Sequence, residues 1–414
     1  MTEKQIFTLT DAQKLAAPRC FQTMVKPAGS ACNLNCSYCY YLDKARQYGM
    51  KQPKMSPALL EKYIKDYIGS NEVDSVTFCW HGGEPTLLGL GYFELIVELQ
   101  SRYAGGKHII NTIQTNGTLI DEDWCRFFVK HDFLVGISLD GPKDVHDAFR
   151  KDKGEAPTWD KVMKAIKLFK RFGVQFNTLS VVNSQSVRRP LETYLFFRNT
   201  VGSRYMQFLP ALEHVVRIPG GKRPVIVSPD TEGAMLAPWS VSAAEYGMFL
   251  VTIFDYWVKK DVGQYFVQMF DATLANYCGV APGVCSMAQT CGDALVVEHN
   301  GDVYPCDHFV YPEYLLGNLN SQSLEEIYDN PRRVRFGLLK RNALPKTCLE
   351  CKFYSACHGE CPKHRFDKTE DGSLKNSLCA GLKMFFEHAD PYMQYMKTCL
   401  EEHRSPAWVM NFRK

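Results

Sequence analysis

The stretch that decides the fold is Cys32-Asn33-Leu34-Asn35-Cys36-Ser37-Tyr38-Cys39. It places three thiols within eight residues, in a C-x3-C-x2-C spacing that directly follows a predicted strand. Three thiolates on one loop can hold three irons of a cubane iron-sulfur cluster, and the fourth iron then stays open for another ligand. Thiolates also suit zinc, but a structural zinc site takes four protein ligands. The missing fourth ligand therefore favours a cluster.

Around this loop, short β-rich runs alternate with longer helical patterns over residues 20–210, which is typical of βα units and a parallel sheet. Crossovers of one kind predict a curved parallel sheet that forms an incomplete barrel. Ser56 is a predicted helix N-cap, and Gly173 is expected to end the helix that begins near Trp159. The six candidate strands are Phe21–Lys26, Ser75–Trp80, His108–Thr115, Phe133–Leu139, Val174–Val182 and Tyr205–Pro210.

Composition narrows the class of protein. The chain has 414 residues, 45% hydrophobic and 22% charged, and its net charge of +3 is too nearly balanced to indicate nucleic acid as a partner. It lacks an export signal and a run approaching about 18 apolar residues, so we expect a cytoplasmic protein that does not enter a membrane. Sixteen cysteines in such a chain indicate metal binding rather than disulfides.

Glycines follow the second predicted strand in His81-Gly82-Gly83-Glu84-Pro85. Paired glycines let a backbone approach a ligand that side chains would block, although Gly-Gly after a strand is often only a turn. The Gly/Pro-rich segment 217–239 lacks periodicity and predicts an irregular insertion. Ser242 and Glu245 then have capping-box spacing and predict a helix towards Lys260.

The last third is rich in cysteine and has little periodicity, apart from a predicted hairpin over Leu295–Tyr304. We therefore expect metal rather than a core to hold this region together. Eight of its thiols suffice for two fully ligated cubane clusters, or for two structural zinc sites. Cys278 is close enough in sequence to leave some doubt about the ligand set. The eight thiols are those of Cys285, Cys291, Cys306, Cys348, Cys351, Cys357, Cys361 and Cys379.

These cysteine patterns resemble those of the anaerobic sulfatase-maturating enzymes, which are radical S-adenosylmethionine (SAM) enzymes with a cysteine-rich SPASM extension. The resemblance covers most of the chain, from Val25 to about His388. It includes Lys26-Pro27, Gly82-Gly83-Glu84-Pro85-Thr86, Gln114-Thr115-Asn116-Gly117-Thr118, Asp140-Gly141-Pro142 and Val303-Tyr304-Pro305-Cys306-Asp307. One departure is His81, since glutamine is expected at this place in the family.

The resemblance implies an α/β fold, in which a partial (β/α)6 TIM-like barrel is followed by a SPASM domain that binds two auxiliary iron-sulfur clusters. The implied domains are a radical SAM barrel at 18–240, a helical connector at 241–272, the SPASM domain at 273–388 and a C-terminal tail at 389–414. Three 4Fe-4S clusters and SAM are the implied cofactors.

The resemblance also implies roles for individual residues. Cys32, Cys36 and Cys39 would hold the cluster that binds SAM. Asp307 would be the proton acceptor. The implied contacts of SAM are Tyr38, Gly83, Ser138, Arg150 and Leu212. One auxiliary cluster would be held by Cys285, Cys291, Cys306 and Cys361, and the other by Cys348, Cys351, Cys357 and Cys379.

The implied reaction oxidises a cysteine or serine in a sulfatase motif of the form C/S-x-P/A-x-R to Cα-formylglycine. The implied partners are a sulfatase polypeptide as substrate and a flavodoxin- or ferredoxin-type reductant. Two alternatives stay open at this point. One is another SPASM-type peptide modifier that forms thioether or carbon-carbon crosslinks, and the other is a zinc-stabilised binding module without catalysis.

Overall fold

A computed structural model describes residues 18–44, 48, 54–217, 224–227 and 231–412. Six parallel strands form the centre of one sheet, in the order of the chain. All six predicted strands are present, with bounds that differ from the prediction by at most two residues. They are β1 (Gln22–Lys26), β2 (Ser75–Trp80), β3 (His108–Thr115), β4 (Phe133–Ser138), β5 (Phe176–Val182) and β6 (Tyr205–Pro210).

Helices connect these strands. Ser56 accepts a hydrogen bond from Leu59 N at the start of the first helix, and Gly173 ends the fifth in the left-handed conformation, as predicted. The helices are α1 (Pro57–Ser70), α2 (Leu90–Tyr103), α3 (Glu122–Lys130), α4 (Lys143–Phe149), α5 (Trp159–Phe172) and α6 (Pro190–Leu195), which continues as a π-helix (Phe196–Val201).

The interior between sheet and helices is strongly aromatic. Tyr63 of α1 packs edge-on against Phe78 and Trp80 of β2, with ring centroids 5.9 and 6.2 Å away. The indole of Trp80 donates to Asn111 Oδ1 over 2.8 Å, so its polar atom is satisfied although the side chain is fully buried. This packing holds α1 against β2, and the active sites of barrels assemble from the loops at the carboxyl ends of the strands.

The segment 217–239 contains regular structure where an irregular insertion was predicted. Two short strands lie here and pair antiparallel with a third strand just before the segment, and the described residues exclude 218–223 and 228–230. The strands are too short for periodicity to reveal them. They are β7 (His214–Val216), β8 (Val225–Val227) and β9 (Met235–Leu236).

The chain continues with the helices of the implied connector at 241–272. The capping box of Ser242 and Glu245 is present at the start of the first of them, as predicted. A two-residue strand between the helices pairs in parallel with β6 and so extends the sheet. The elements are α7 (Ala243–Lys260), β10 (Phe266–Val267) and α8 (Gln268–Tyr277).

The expectation that metal rather than a core holds the last third together is wrong. The predicted hairpin joins the central sheet, because its first strand pairs in parallel with β1 over five residues. Leu295 and Val297 of this strand and Val303 after it are fully buried in the main hydrophobic core. Its strands are β11 (Ala294–Glu298), β12 (Asp302–Tyr304) and β13 (Gly317–Asn318).

The remaining elements surround the C-terminal cysteines. None of the helices in the described part of the chain is long and apolar enough to cross a membrane. The elements are α9 (Leu324–Tyr328), α10 (Pro331–Asn342), α11 (Lys346–Leu349), α12 (Tyr354–Cys357), β14 (Arg365–Lys368), β15 (Leu374–Asn376) and α13 (Cys379–Glu401).

Helix α13 continues past residue 388, after which the resemblance implied a C-terminal tail. It packs against α7 at a point where the two backbones touch. A Cβ on Gly381 would lie 1.8 Å from Ala243 O, and one on Gly247 would lie 2.7 Å from Gly381 O. No side chain fits at either position. The two glycines therefore let α13 close the core against α7.

We expect Gly381→Ala to lower the melting temperature, since overpacking a close helix contact costs typically about 1–3 kcal/mol. Gly91→Ala in α2 is the matched control, because a Cβ at Gly91 meets nothing within 4 Å. Thermal unfolding followed by circular dichroism measures both variants. Equal melting temperatures for the two would contradict this account of the helix contact.

Candidate active site

The N-terminal cysteine loop, residues 32–39, follows β1 at the carboxyl edge of the sheet. Backbone hydrogen bonds hold it against the segment after α4. Asn35 N donates to Lys151 O over 2.8 Å, and Ser37 N donates to Phe149 O over 3.0 Å. The loop is therefore a fixed part of the site rather than a free connection.

The three thiols of this loop face one another. Burial raises the pKa of Cys32 to about 12, and the charges of Glu84 and Cys39 add to the shift. Burial also raises the pKa of Cys36, and the charges of Cys39 and Cys32 again add to it, against the opposing charge of Arg150. Three thiolates are costly to bury together unless positive charge lies among them. This donor set fits the irons of a cluster.

Gly83 allows β2 to meet the residues before the cysteine loop. Its N–H donates to Gly29 O over 2.7 Å, and a Cβ at Gly83 would lie 2.0 Å from Ala31 O. The glycine is thus required by backbone packing, and its contact with SAM stays a prediction. The next residue, Glu84, is fully buried and accepts hydrogen bonds from Thr115 Oγ1 at 2.7 Å and Asn116 N at 2.7 Å. This carboxylate ties the ends of β2 and β3 together.

Tyr38 and Arg150, two of the predicted SAM contacts, are joined by a residue to which the sequence assigned no role. Asp140 is fully buried after β4, and the Tyr38 hydroxyl donates to its carboxylate. Arg150 Nε lies 3.0 Å from Asp140 Oδ1, and the guanidinium lies 5.4 Å from the centre of the Tyr38 ring. Asp140 therefore orients both side chains beside the thiol of Cys36. A signal for it was present in the turn Asp140-Gly141-Pro142.

The other two predicted contacts lie at strand ends but are not joined to this cluster. Ser138 ends β4 and accepts a hydrogen bond from Gln114 Nε2 over 3.0 Å. Leu212 follows β6 and is buried in the main core, whereas its neighbour Ala211 packs with Tyr38. The roles of Ser138 and Leu212 towards SAM stay predictions.

Asp307, the predicted proton acceptor, lies beside the N-terminal cysteine loop. Its Oδ1 forms an ion pair with Lys26, the last residue of β1, and its Oδ2 accepts from the hydroxyl of Tyr40. The side chain of Lys26 is only 1% exposed, whereas that of Asp307 is 16% exposed. Lys26 Nζ also lies 3.3 Å from the centre of the Tyr41 ring. The carboxylate is thus held on one side and open on the other.

The surroundings of Asp307 keep it ionised. Burial raises the pKa of Asp307, but the opposing causes, of which the charge of Lys26 is the largest, together lower it by more, so that it lies well below its usual range. Burial and the charge of Lys26 lower the pKa of His81 to about 4. His81, which departs from the family pattern, is therefore a neutral imidazole beside this ion pair. Cys79 of β2 is also close enough to Asp307 for the charge of the carboxylate to raise the pKa of its thiol.

The first four C-terminal thiols, which we call group A, are brought together around the turn that carries Asp307. Burial raises the pKa of Cys306 to about 12, and the charges of Asp307, Cys285 and Cys291 add to it. Burial likewise raises the pKa of Cys361, with contributions from Cys306 and Cys285. Group A is Cys285, Cys291, Cys306 and Cys361.

The other four thiols, which we call group B, form a separate cluster. Burial raises the pKa of Cys348, and the charges of Cys379 and Cys351 add to it. Burial raises the pKa of Cys357 to about 12, with contributions from Cys379 and Cys348. The assignment of these four thiols to one cluster stays a prediction from the resemblance. Group B is Cys348, Cys351, Cys357 and Cys379.

The spacing of the groups bears on the zinc alternative. Among the described residues, no set of three or more His, Cys, Asp or Glu side chains is positioned to hold a single metal ion. A four-iron cluster spreads its ligands over a larger volume than one zinc ion, with its Zn–S distances of about 2.3 Å. The charges that act on Cys278 are those of Lys397 and Glu401 of α13.

Comparisons with known proteins agree with this organisation. Residues 27–197 match the radical SAM superfamily, and residues 285–352 match an iron-sulfur cluster-binding domain, SPASM. A serine-type anaerobic sulfatase-maturating enzyme of Bacteroides thetaiotaomicron is 49% identical over 394 residues, which cover 94% of each chain. A cysteine-type enzyme of Clostridium perfringens is 33% identical over 377 residues, which cover 89% of this chain and 96% of the relative.

A solved structure described as native anSMEcpe with bound AdoMet is similar to this chain with a TM-score of 0.79 and 32% identity. The similarity covers 91% of this chain and 99% of that one. The same protein with bound AdoMet and the Cp18Cys peptide gives a TM-score of 0.78.

Proposed function

Since the chain belongs to the anaerobic sulfatase-maturating enzymes, a family of radical SAM enzymes, we propose that it oxidises a cysteine or serine of a sulfatase polypeptide to Cα-formylglycine. The substrate residue would lie in a motif of the form C/S-x-P/A-x-R. The observation that carries this proposal is the position of Asp307. The carboxylate lies between the N-terminal cysteine loop, through Tyr40, and group A, through its neighbour Cys306.

The three thiol groups are the places where cofactors would be held. Cys32, Cys36 and Cys39 would bind a 4Fe-4S cluster with one iron left open for SAM, and groups A and B would each bind a complete 4Fe-4S cluster. When bound, the first cluster and SAM supply a 5'-deoxyadenosyl radical that takes a hydrogen atom from the substrate Cβ. The fit of the protein to this chemistry lies in three separate sets of mutually facing thiols.

Asp307 would accept the proton of the substrate thiol or hydroxyl. It is ionised, as a base must be, and each carboxylate oxygen has two acceptor sites, of which Lys26 and Tyr40 use one on each oxygen. A further site on each oxygen is therefore available to the substrate. Lys26 and Tyr40 fix the orientation of the carboxylate, and neutral His81 adds no competing positive charge beside it.

Oxidation of the substrate carbon also requires that one electron leaves the site. Cys306 of group A directly precedes Asp307 in the chain, so group A offers an exit for this electron. A flavodoxin- or ferredoxin-type protein as the source of electrons, and a cytoplasmic location, stay predictions from the sequence.

The test is oxidation of two short peptides that differ only in having serine or cysteine at the first position of the motif. We expect reconstituted enzyme with dithionite and SAM to remove two hydrogens from the serine peptide. In the cysteine peptide it should also exchange sulfur for oxygen. Mass spectrometry measures both products, and a peptide with alanine at this position is the control. Release of 5'-deoxyadenosine with neither product would contradict the proposal and would favour a different peptide modification.

A further inference from the structure

Arg365 is a buried cation to which the proposed reaction assigns no role. It begins β14 and is only 7% exposed. Neither its Nε nor its Nη2 has a hydrogen-bond partner among the described residues. Leaving a buried guanidinium unpaired is strongly destabilising, as is removing one partner of a buried ion pair. Such a group indicates that something negative lies beside it in the complete enzyme.

The charges around Arg365 come from both C-terminal thiol groups. Burial lowers the pKa of the guanidinium, and the opposing charges are those of Cys348, Cys361, Glu360 and Cys291. Cys348 belongs to group B, whereas Cys361 and Cys291 belong to group A. Arg365 therefore lies where it can act on both groups at once.

The charge of Glu360 acts on Arg365, but among the described residues Glu360 makes no hydrogen bond with it. Its carboxylate instead accepts from Asn376 Nδ2 over 2.6 Å and lies 2.9 Å from His364 Nδ1. The protein also makes room for the guanidinium, since a Cβ on Gly359 would lie 3.0 Å from Arg365 Nη2 and 2.2 Å from Leu344 Cδ2. The Nε and Nη2 donors of Arg365 are thus available to the sulfurs of the thiol groups.

We propose that Arg365 is a positioning residue that donates hydrogen bonds to sulfurs of both auxiliary clusters and keeps the reduction potentials of both raised. The inference rests on the assignment of clusters to groups A and B in the proposed function. A guanidinium carries five donors in a planar fork and keeps its charge, so it suits two neighbouring anionic groups. Hydrogen bonds and positive charge near a cluster favour its reduced, more negative state.

The consequence concerns the electron that leaves the substrate. With clusters bound at both groups, one electron would pass to the cluster at group A and then to the cluster at group B, and each transfer would reduce one cluster and oxidise its donor. No bond forms and no proton moves in these two transfers. Arg365 makes both clusters better acceptors, because its charge offsets the electron that each one gains.

The experiment is a redox titration of the full-length enzyme, followed by electron paramagnetic resonance, in Arg365→Gln and in the matched control Arg341→Gln. The guanidinium of Arg341 donates to Asn342 and lies on α10, at the surface of the same region. We expect Arg365→Gln to lower the reduction potentials of both auxiliary clusters. The expected change is tenfold or more in the equilibrium constant of reduction, which corresponds to about 59 mV for one electron. The control should match the native enzyme, and iron content should be equal in all three.

Full iron content with unchanged auxiliary potentials in Arg365→Gln would overturn the role of Arg365 and leave the proposed function intact. Absence of iron at groups A and B in the native protein would overturn both. If Arg365→Gln loses iron, the same redox titration is made on Arg365→Lys. Lysine keeps the positive charge, but its single ammonium cannot donate to both groups as the planar guanidinium can. In this variant we expect at least one of the two auxiliary reduction potentials to fall. If both potentials equal those of the native enzyme, the proposal is overturned.

Discussion

Replacing Cys36 by alanine should abolish cleavage of SAM to 5'-deoxyadenosine, down to the level of a reaction without enzyme. The thiol is buried and faces those of Cys32 and Cys39. Backbone hydrogen bonds to Lys151 and Phe149 hold the loop on both sides of Cys36. A cluster that lost one of only three protein ligands would not keep SAM in place.

Chromatographic measurement of 5'-deoxyadenosine in the presence of dithionite checks this expectation. Cys125→Ala is the matched control, since Cys125 is also buried but lies on α3, away from the three thiol groups. It should cleave SAM at the native rate. The Cys36 variant should lose the iron of one cluster and keep the iron of groups A and B. Native cleavage by Cys36→Ala would contradict the assignment of the loop as the SAM-binding site.

Local patterns in the sequence predicted the barrel strands and the helix caps. Each of these features depends on residues close in the chain, such as Ser56 with Leu59 or the left-handed Gly173. The cysteine spacings were equally local for Cys32, Cys36 and Cys39. Such features can be recognised without knowing which strands lie side by side.

The features that the sequence did not reveal are those that join distant parts of the chain. Lys26 and Asp307 are 281 residues apart, and they meet only because β11 pairs in parallel with β1. That pairing also makes the last third part of the main core. No periodicity encodes the register between two strands of different domains, so the buried ion pair appeared only with the fold.

The sequence also did not reveal the burial of Arg365, the cation near groups A and B. Arg365 lies in a segment where charged residues are common, and nothing in its neighbours distinguishes it from a solvated side chain. Its burial follows from β14 pairing with β15 and from the close approach of Gly359. The position of Arg365 thus depends on tertiary packing, whereas the cysteines near it were recognised from the sequence.

Replacing Asp307 by asparagine should reduce formylglycine formation by about 10²–10⁴-fold, the usual contribution of a general base, while cleavage of SAM survives. Asparagine keeps the shape of the side chain and can still accept from Tyr40, but it cannot take up a proton at neutral pH. Quantitative mass spectrometry of the peptide and chromatography of 5'-deoxyadenosine, from the same reaction, separate the two activities. Asp302→Asn, on the neighbouring strand β12, is the matched control and should keep both.

The asparagine variant also leaves Lys26 without its anionic partner, and breaking a buried pair costs roughly 3–5 kcal/mol. A loss of product could therefore come from damage to the fold rather than from loss of a base. The two causes differ in what else they change, because damage at the end of β1 would also displace the cysteine loop and stop SAM cleavage. Asp307→Glu, which keeps the charge on a longer arm, should recover part of the product. Native product formation by Asp307→Asn would show that the proton goes elsewhere, and neutral His81 beside the same ion pair would be the next candidate to replace.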